Sequence, residues 1–456
     1  MNATPSLTRQ MARTVLAADF KPAFLALRPP ARAKARLCLA DYLSCIFEAR
    51  ALPWSQQAKA LATPLPHGCT ILASSLKATA TEAAFANAVM AHGLVREDMH
   101  AASNTHHGVV VWSTLLALAE TRPVTGGEIL DAAILAYEAG ARLGRVLFDQ
   151  ELARLFRPTG LTTPFGASLG AAYMLGLTED QIVSALGLAA NQAGGLNQWP
   201  HSGSSDMYFH PGFAARSALT AVRLAQAGAQ ASEAILEGEA GLFASFARRP
   251  APATLPLFPK GEADILNVYH KPAPACNYAQ TASQCALALL QSHAIAVQDI
   301  TSIAIRVSDA ALNYPGCNAK GPFERALQAK MSIIFATAAV LVTGRIAEES
   351  YHQLDHPDIN RLIRVTDLQS AAHYTQAFPA KQGTSLSITL ADGRILAIDQ
   401  EDVVPANAAL IEQRLSQAVT ETCGAAQAAQ LLSVLDQIEK LEDVRLLINL
   451  CRTPAA

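Results

Sequence analysis

The sequence predicts a mainly α-helical protein in which a smaller α+β domain is inserted into a large helical domain. Alanine- and leucine-rich segments, whose apolar residues recur every three or four positions, dominate the chain up to about residue 250. Segments rich in β-branched residues appear after residue 271, and helical spacing returns over residues 407–448. We therefore predict a helical domain made of residues 1–268 and 405–456, and an α+β lid domain made of residues 269–404.

The first domain is predicted to be built from helices alone. Apolar spacing indicates helices over residues 31–48, 81–92, 109–119, 127–147, 165–175, 181–193 and 214–227. Thr125 and Glu128 have the spacing of a capping box, which marks the start of the fourth of these helices. Gly166, Ser168 and Gly170 match the GxSxG pattern of hydrolases, but no β-branched strand precedes them, as that motif requires. We interpret this stretch as the packing surface of a helix.

The inserted domain is predicted to contain a small sheet. Residues 300–307, 362–365 and 385–390 resemble strands in their β-branched content and partial alternation. Asp392 and Gly393 lie between the strand at 385–390 and another at 395–398, and this dipeptide favours a hairpin in which both turn positions have positive φ. Residues 329–343 are predicted to form a helix.

Composition excludes several classes of protein. Of the 456 residues, 51% are hydrophobic and 16% are charged, which is typical of a folded protein with two or three domains. The net charge of −3 offers no basic surface for nucleic acid. The eight cysteines form no CxxC pair, which indicates free thiols in a reducing compartment. Because we find no signal peptide and no long apolar run, we expect a cytoplasmic protein without a membrane span.

The segment at residues 91–111 is the strongest candidate for chemistry. It contains four histidines beside Glu97 and Asp98, namely His92, His100, His106 and His107. Imidazole exchanges protons near neutral pH, so the cluster suits general acid–base catalysis, although a metal site or an ordinary polar loop could have the same composition. The spacing matches no familiar zinc pattern, and adjacent histidines rarely bind one ion, so we predict no metal. We find no GxGxxG or P-loop motif for a nucleotide.

Nine segments, taken in order, resemble the MmgE/PrpD family, whose members include 2-methylcitrate dehydratase, cis-aconitate decarboxylase and iminodisuccinate epimerase. They are residues 35–49, 83–94, 106–120, 136–146, 157–170, 209–227, 235–243, 271–278 and 329–344. The resemblance implies a helical domain with an α+β lid, usually in a homodimer. It also implies a site between the domains that handles small di- or tricarboxylates without an organic cofactor.

The resemblance also implies roles for individual residues. His106 falls on the histidine of the family's HPG element, Asp98 on the last aspartate of LDFDD, and Lys271 on the lysine of KxxPxC. We predict these three, with Tyr208 as a further proton donor, to be catalytic. The residues predicted to bind substrate are Arg157, His210, His107 and Lys330, of which His210 falls on the LHxG element and Lys330 on the AKFS element.

Five positions depart from the family pattern. They are Val95, Met99, Arg157, Met207 and Phe335, which stand where aspartate, threonine, histidine, lysine and tyrosine are usual. Arg157 keeps a positive charge in a planar fork that suits a carboxylate, but the other four side chains have lost their polar group. We infer a pocket that is more apolar than the family's, and hence a smaller or more hydrophobic acid as substrate.

These observations predict a cofactor-independent, dehydratase-like lyase that removes a proton next to a carboxylate of a small di- or tricarboxylic acid. An epimerase or other isomerase, a decarboxylase, and a catalytically inactive homologue that only binds its ligand remain alternatives. A metallohydrolase that uses the histidine-rich segment is a more distant one.

Overall fold

The computed structural model describes residues 5–17 and 20–454, so both outer ends of the predicted helical domain lie outside the described residues. The helices are α1 (Leu7–Leu16), α2 (Phe20–Ala49), α3 (Pro53–Ala60), α4 (Ala80–His92), α5 (Gly108–Ala119), α6 (Gly126–Leu147), α7 (Gln150–Leu155), α8 (Pro158–Met174), α9 (Glu179–Ala190), α10 (Trp199–Ser202), α11 (Asp206–Gln226), α12 (Gln280–Ser292), α13 (Asp309–Asn313), α14 (Ala326–Met331), α15 (Ile333–Thr343), α16 (Pro357–Arg364), α17 (Ala372–Ala377), α18 (Ala408–Cys423), α19 (Ala425–Asp436) and α20 (Arg445–Leu450). The predicted mainly helical fold class is confirmed.

The strands form three small sheets. The strands are β1 (Cys69–Thr70), β2 (Lys77–Ala78), β3 (Met99–His100), β4 (Val268–Tyr269), β5 (Ile300–Val307), β6 (Thr366–Ser370), β7 (Thr384–Leu390) and β8 (Ile395–Gln400). β1 pairs with β2, and β3 with β4, whereas the third sheet has the order β6-β5-β7-β8. β5 and β6 run parallel, and the other neighbours in this sheet are antiparallel. Burial alternates along β7, so one face of the sheet packs on a core that α12 and α15 complete.

Close packing of α6 on α8 is made possible by glycine. A Cβ atom on Gly166 would lie 2.4 Å from the main-chain oxygen of Ala136, and one on Gly170 would lie 2.4 Å from that of Ala132. Ser168 is in the middle of α8, where its hydroxyl donates to the carbonyl of Ala218 at 3.3 Å. The GxSxG match is therefore a packing surface, as predicted. The capping box of Thr125 and Glu128 at the start of α6 is also confirmed.

Three predictions for the inserted domain are wrong in detail. Residues 362–365 are not a strand but the end of α16 and the residue after it, because Ile359, Leu362 and Ile363 recur at helical spacing on a buried face. The helix predicted at 329–343 is broken at Ser332, whose extended backbone separates α14 from α15 and whose hydroxyl caps α15. The hairpin after β7 has a three-residue turn in which Gly393 has a φ of +86°, whereas the residue before it does not have positive φ.

The described residues contain two large hydrophobic cores and a small third cluster formed by Cys45, Ala49 and Leu94. The first draws on residues 7–268 and 406–451, and the second on residues 273–390. Four residues from the helical part of the chain, Val95, Trp199, Met207 and Tyr208, belong to the second core. The two parts of the molecule therefore meet along these residues, while the exact domain boundaries stay a prediction. No helix within the described ranges is long and apolar enough to cross a membrane.

Candidate active site

The candidate site begins where α4 ends and the chain turns sharply. Val95 has a φ of +59°, a left-handed conformation that is unusual for a β-branched residue and that indicates local strain. The carbonyl of Val95 accepts a hydrogen bond from the Nζ of Lys271. Lys271 reaches this position because β4, which ends two residues before it, pairs with β3 just after the turn. Segments far apart in sequence are thus joined at the site.

Glu97 links two imidazoles behind the site. One carboxylate oxygen, Oε1, lies 2.6 Å from the Nδ1 of His92 and 3.2 Å from the Nδ1 of His106. The Nε2 of His92 lies 3.1 Å from the Nη2 of Arg157. Because arginine can only donate, His92 accepts through Nε2 and donates through Nδ1, so it is neutral.

His106 is held in the tautomer that a general base requires. Its Nδ1 lies 3.0 Å from the main-chain oxygen of Asp98, and a carbonyl oxygen can only accept, so Nδ1 carries a proton. The lone pair of the neutral ring is therefore on Nε2. The main-chain N–H of His106 donates to Thr159 at 3.2 Å, which fixes the backbone at the start of α5.

Arg157 is a buried cation without a carboxylate partner. It is 6% exposed, and no carboxylate of the described residues lies within ion-pair distance of it. Its Nε is buried without a hydrogen-bond partner, and its guanidinium lies 5.9 Å from the ring centre of Trp199. Gly195, with a φ of +117°, accepts from the main-chain N–H of Arg157, and a side chain there would press on Arg157 and His210. A buried, incompletely paired guanidinium is suited to bind an anion.

Burial and neighbouring charges shift the pKa values of the titratable groups at the site. Burial lowers the pKa of His106 well below its usual range; Glu97 opposes this, while Lys271 and Arg157 reinforce it. Burial likewise lowers the pKa of Lys271 against the attraction of Glu97. Burial alone would raise the pKa of Glu97, but its interactions with His92, Lys271 and His106 hold it below the usual range. His106 is thus an unprotonated imidazole, and Glu97 an ionised carboxylate, at neutral pH.

His106 and Arg157 line one small cavity of about 20 Å³. This volume admits roughly one water molecule. Val95, Met99, Met207 and Met331 form the apolar part of the wall, and the remaining lining residues, Asn104, Cys276, Asn277, Tyr278 and Tyr314, carry polar groups. Four of the five departures from the family pattern, at positions 95, 99, 157 and 207, are therefore in the wall of this cavity.

Two residues next to His106 have roles other than those predicted. The carboxylate of Asp98 accepts from the N–H of Gly108, at 3.1 Å, and from Tyr137, so it caps α5, and only its main-chain oxygen orients an imidazole. His107 turns away from the cavity toward Ser103, with its Nε2 3.3 Å from the Ser103 hydroxyl. The predictions that the Asp98 side chain acts on an imidazole and that His107 faces substrate are not supported by this geometry.

The other predicted residues lie behind the cavity wall. The ring of Tyr208 stacks on Trp54 with centroids 3.8 Å apart, and its buried hydroxyl has no hydrogen-bond partner among the described residues. Lys330 pairs with Glu348 at 2.7 Å and therefore already has a counter-charge. His210 adjoins Arg157 across Gly195, and burial lowers its pKa to about 4. None of these three lines the cavity.

The sequence analysis named His92 and Glu97 in the candidate segment but assigned them no role, and it did not identify Tyr314. His92 and Glu97 are five positions apart, and the left-handed turn at Val95 brings them into contact. The sequence signal for this pair is a histidine at the predicted end of a helix, followed closely by a glutamate. Tyr314, which interacts with the guanidinium of Arg157, lies in a loop without a motif.

Comparison with known proteins shows matches along most of the chain. A family model described as the MmgE/PrpD N-terminal domain matches residues 9–254, and one described as the MmgE/PrpD C-terminal domain matches residues 273–424. The chain is 29% identical to cis-aconitate decarboxylase of Aspergillus terreus over 221 residues, which are 46% of this chain and 44% of that protein. The alignment therefore spans less than half of the fungal relative.

Longer alignments relate the chain to two further proteins. It is 26% identical to human cis-aconitate decarboxylase over 397 residues, with 82% of this chain and 80% of that protein covered. It is also 26% identical to 2-methylcitrate dehydratase of Cupriavidus necator over 389 residues, with 79% of each covered. Because the N-terminal family model alone covers more than half of the chain, the chain belongs to the MmgE/PrpD family.

Proposed function

We propose that this protein is a lyase that acts on a small organic acid without a cofactor. It removes a proton from the carbon next to a carboxylate and expels a substituent from the neighbouring carbon. The observation that carries the proposal is that a neutral imidazole and a buried guanidinium without a carboxylate partner line one cavity. The names of the relatives, a decarboxylase and a dehydratase, agree with an acid as substrate.

In this proposal His106 is the base and Arg157 holds the substrate. Nε2 of His106 takes the proton while Nδ1–H remains bonded to the Asp98 carbonyl, so the ring keeps its orientation. The electrons of the broken C–H bond form a carbon–carbon double bond, and the leaving group, such as hydroxyl, departs with its electron pair. It takes up the proton that His106 received, so that the imidazole is neutral again. Arg157 binds the carboxylate, and the nearby charge of Lys271 stabilises the carbanion-like transition state.

The apolar wall favours a smaller or more hydrophobic acid than a citrate. Val95, Met99 and Met207 cannot donate hydrogen bonds to extra carboxylates or hydroxyls. We therefore expect 2-methylcitrate to be a poor substrate. Rapid dehydration of 2-methylcitrate, as the best substrate of a panel, would contradict this part of the proposal.

Two alternative reactions can be separated by their products. Decarboxylation is supported by the names of the cis-aconitate decarboxylase relatives and would release carbon dioxide. Epimerisation would incorporate deuterium from D2O without elimination and needs a second proton donor. Tyr208 and His210, which could donate that proton, do not line the cavity with His106.

The test is turnover of a panel of small carboxylic acids, followed by NMR, with two site variants. We expect His106→Asn to lower kcat by about 10²–10⁴-fold, the usual contribution of a general base. Arg157→Lys, which keeps the charge but loses the planar fork, should raise KM more than it lowers kcat. His293→Asn, at an exposed histidine, is the matched control and should have wild-type activity.

Unchanged turnover in His106→Asn would overturn the proposed mechanism. Thermal stabilisation by an acid, without turnover of any acid that stabilises, would instead indicate an inactive ligand-binding homologue. We further propose a homodimer, as the family resemblance implies, and a cytoplasmic location, as the composition indicates. A light-scattering mass equal to one chain would contradict the dimer.

A further inference from the structure

We call the small cavity lined by His106 and Arg157 the reaction cavity, and a second, larger cavity adjoins it. It has a volume of about 650 Å³ and is bounded by α6, α7 and the turn after β3 on one side, and by α13 and residues 378–379 on the other. Asn104, Tyr278 and Tyr314 line both cavities and therefore lie between the two spaces. We call this larger cavity the outer pocket.

The two tyrosines form an aperture with aromatic edges. The ring centres of Tyr278 and Tyr314 are 5.4 Å apart, and that of Phe378 lies 5.9 Å from Tyr278. Tyr314 also interacts with the guanidinium of Arg157, which connects the aperture to the group that would hold the carboxylate. Tyr278 and Tyr314 are in contact at this spacing, so a ligand fixed by Arg157 can extend into the outer pocket once these rings move apart.

The outer pocket suits an apolar or aromatic group better than a second carboxylate. Phe148, Phe378, Pro379 and several alanines contribute apolar surface. The charge of Arg145 is already matched by Asp264, with the Nη2 and Oδ1 atoms 2.6 Å apart. Arg154 is exposed at the rim, where solvent weakens its attraction for an anion.

A third cavity, of about 420 Å³, lies beside Pro200, His201 and Phe323 and is the other possible extension. It shares only Tyr314 with the reaction cavity, whereas the outer pocket shares three residues with it. The outer pocket is thus the space that a bound acid reaches most directly.

We propose that the outer pocket is a subsite for the non-reacting end of the substrate, and that this end is an apolar or aromatic substituent on an organic acid. The inference rests on the proposed function, because Arg157 must hold the acid group. The inference places the reacting carboxylate in the reaction cavity and the substituent in the outer pocket, on the other side of Tyr278 and Tyr314.

The test compares the affinities of succinate and 2-benzylsuccinate, measured by calorimetry with the full chain. These probes have the same acid groups and differ by one aromatic substituent. In the wild type we expect 2-benzylsuccinate to bind about tenfold or more tightly, since burying a phenyl ring contributes more than the 1.4 kcal/mol that a factor of about ten requires. Ala102→Phe, which fills the outer pocket from its half-buried wall, should reduce this ratio to near one while succinate binding persists.

Ala319→Phe is the matched control, because Ala319 is also half-buried but lines the third cavity. It should keep the wild-type ratio. Gln150→Trp, at an exposed position of the outer pocket, is a second blocking variant should Ala102→Phe not fold.

Equal affinity of the wild type for both probes, or an unchanged ratio in a folded blocking variant, would overturn the inference. If neither acid binds, or if Arg157→Ala leaves succinate binding intact, the proposed function fails and the subsite fails with it.

Discussion

At the scale of single residues, Glu97 controls how strongly His106 holds a proton. Its carboxylate raises the pKa of His106 against the effect of burial. In Glu97→Gln the amide oxygen can still accept from His92, but the negative charge is lost. We expect the acid limb of the kcat/KM profile, which reports protonation of the free base, to move to lower pH. The measurement is the pH profile with the best acid of the panel.

The direction of this shift distinguishes electrostatic control from loss of structure. A base with a lower pKa remains unprotonated further into acid, so the limb cannot move to higher pH if Glu97 acts as described. Glu239→Gln, at an exposed glutamate, should leave the limb in place. An unchanged limb in Glu97→Gln would show that His106 is not the titrating base.

The residues of the cavity were only partly predictable. His106 and Arg157 could be carried over from the family resemblance, and both line the cavity. His92 and Glu97 could not, because their contact depends on the left-handed backbone of Val95, a conformation that β-branched residues rarely adopt. Asp98 and His107 are adjacent in sequence to Glu97 and His106, yet their side chains point to α5 and Ser103, because successive residues of the chain face different directions.

At the scale of elements, the contact of α6 with α8 leaves no space for a Cβ atom at Gly166. In Gly166→Ala this atom would meet the main-chain oxygen of Ala136, which cannot rotate away. Overpacking typically lowers the free energy of unfolding by about 1–3 kcal/mol, whereas the higher helix propensity of alanine relative to glycine raises it by about 1 kcal/mol. We expect a net loss of up to about 2 kcal/mol of unfolding free energy, measured as a lower urea midpoint.

The matched control for this contact is Gly127→Ala in the first turn of α6. A Cβ atom there would lie 3.3 Å from the end of the flexible Arg32 side chain, which can move. We expect its urea midpoint to equal or exceed that of the wild type. A Gly166→Ala variant as stable as Gly127→Ala would mean that the two helices separate at little cost.

Elements were predicted well where one periodicity ran for many residues. The helix α6 and the strand β5 were predicted to within one residue, whereas α8 and α11 were predicted only over their later parts, from residues 165 and 214. Segments were assigned to the wrong class of structure where they were short, because few residues then define a period. Residues 362–365 have strand-like composition, but the face that buries Ile359 makes their segment helical, and only tertiary packing reveals that face.

At the scale of the whole molecule, buried histidines should make the free energy of unfolding depend on pH. Burial lowers the pKa of five of them, namely His92, His100, His106, His107 and His210. In the unfolded chain these groups bind protons near pH 6.5, whereas in the folded protein they resist protonation. Unfolding therefore takes up protons below that pH, and stability falls as the pH decreases, by about 1.4 kcal/mol per pH unit for each proton.

Two carboxyl groups act in the opposite sense. Burial raises the pKa of Glu138 to about 7 and raises that of Asp98, so these groups keep protons in the folded state that the unfolded state would release. Because the histidines outnumber them, we expect a lower urea midpoint at about pH 5.5 than at about pH 7.5. His107→Gln should reduce the difference, and His293→Gln, at an exposed site, should not. Equal midpoints at the two pH values would contradict this balance.

The division into a helical part and a smaller mixed part was visible in the sequence because each has its own period of apolar residues. How the two parts meet was not visible. The meeting surface depends on Val95, Trp199 and Met207, apolar residues of the helical part that pack into the other core. Nothing in their local pattern distinguishes them from ordinary core residues.

The small volume of the reaction cavity has a consequence for the speed of catalysis. A space of about 20 Å³ cannot exchange an acid for its product while Tyr278 and Tyr314 keep their present positions. Every catalytic cycle would then include a displacement of these rings, and the frequency of that displacement would be an upper limit on kcat. If chemistry is faster than this motion, solvent viscosity would govern the maximal rate, and deuterium at the reacting carbon would leave it unchanged.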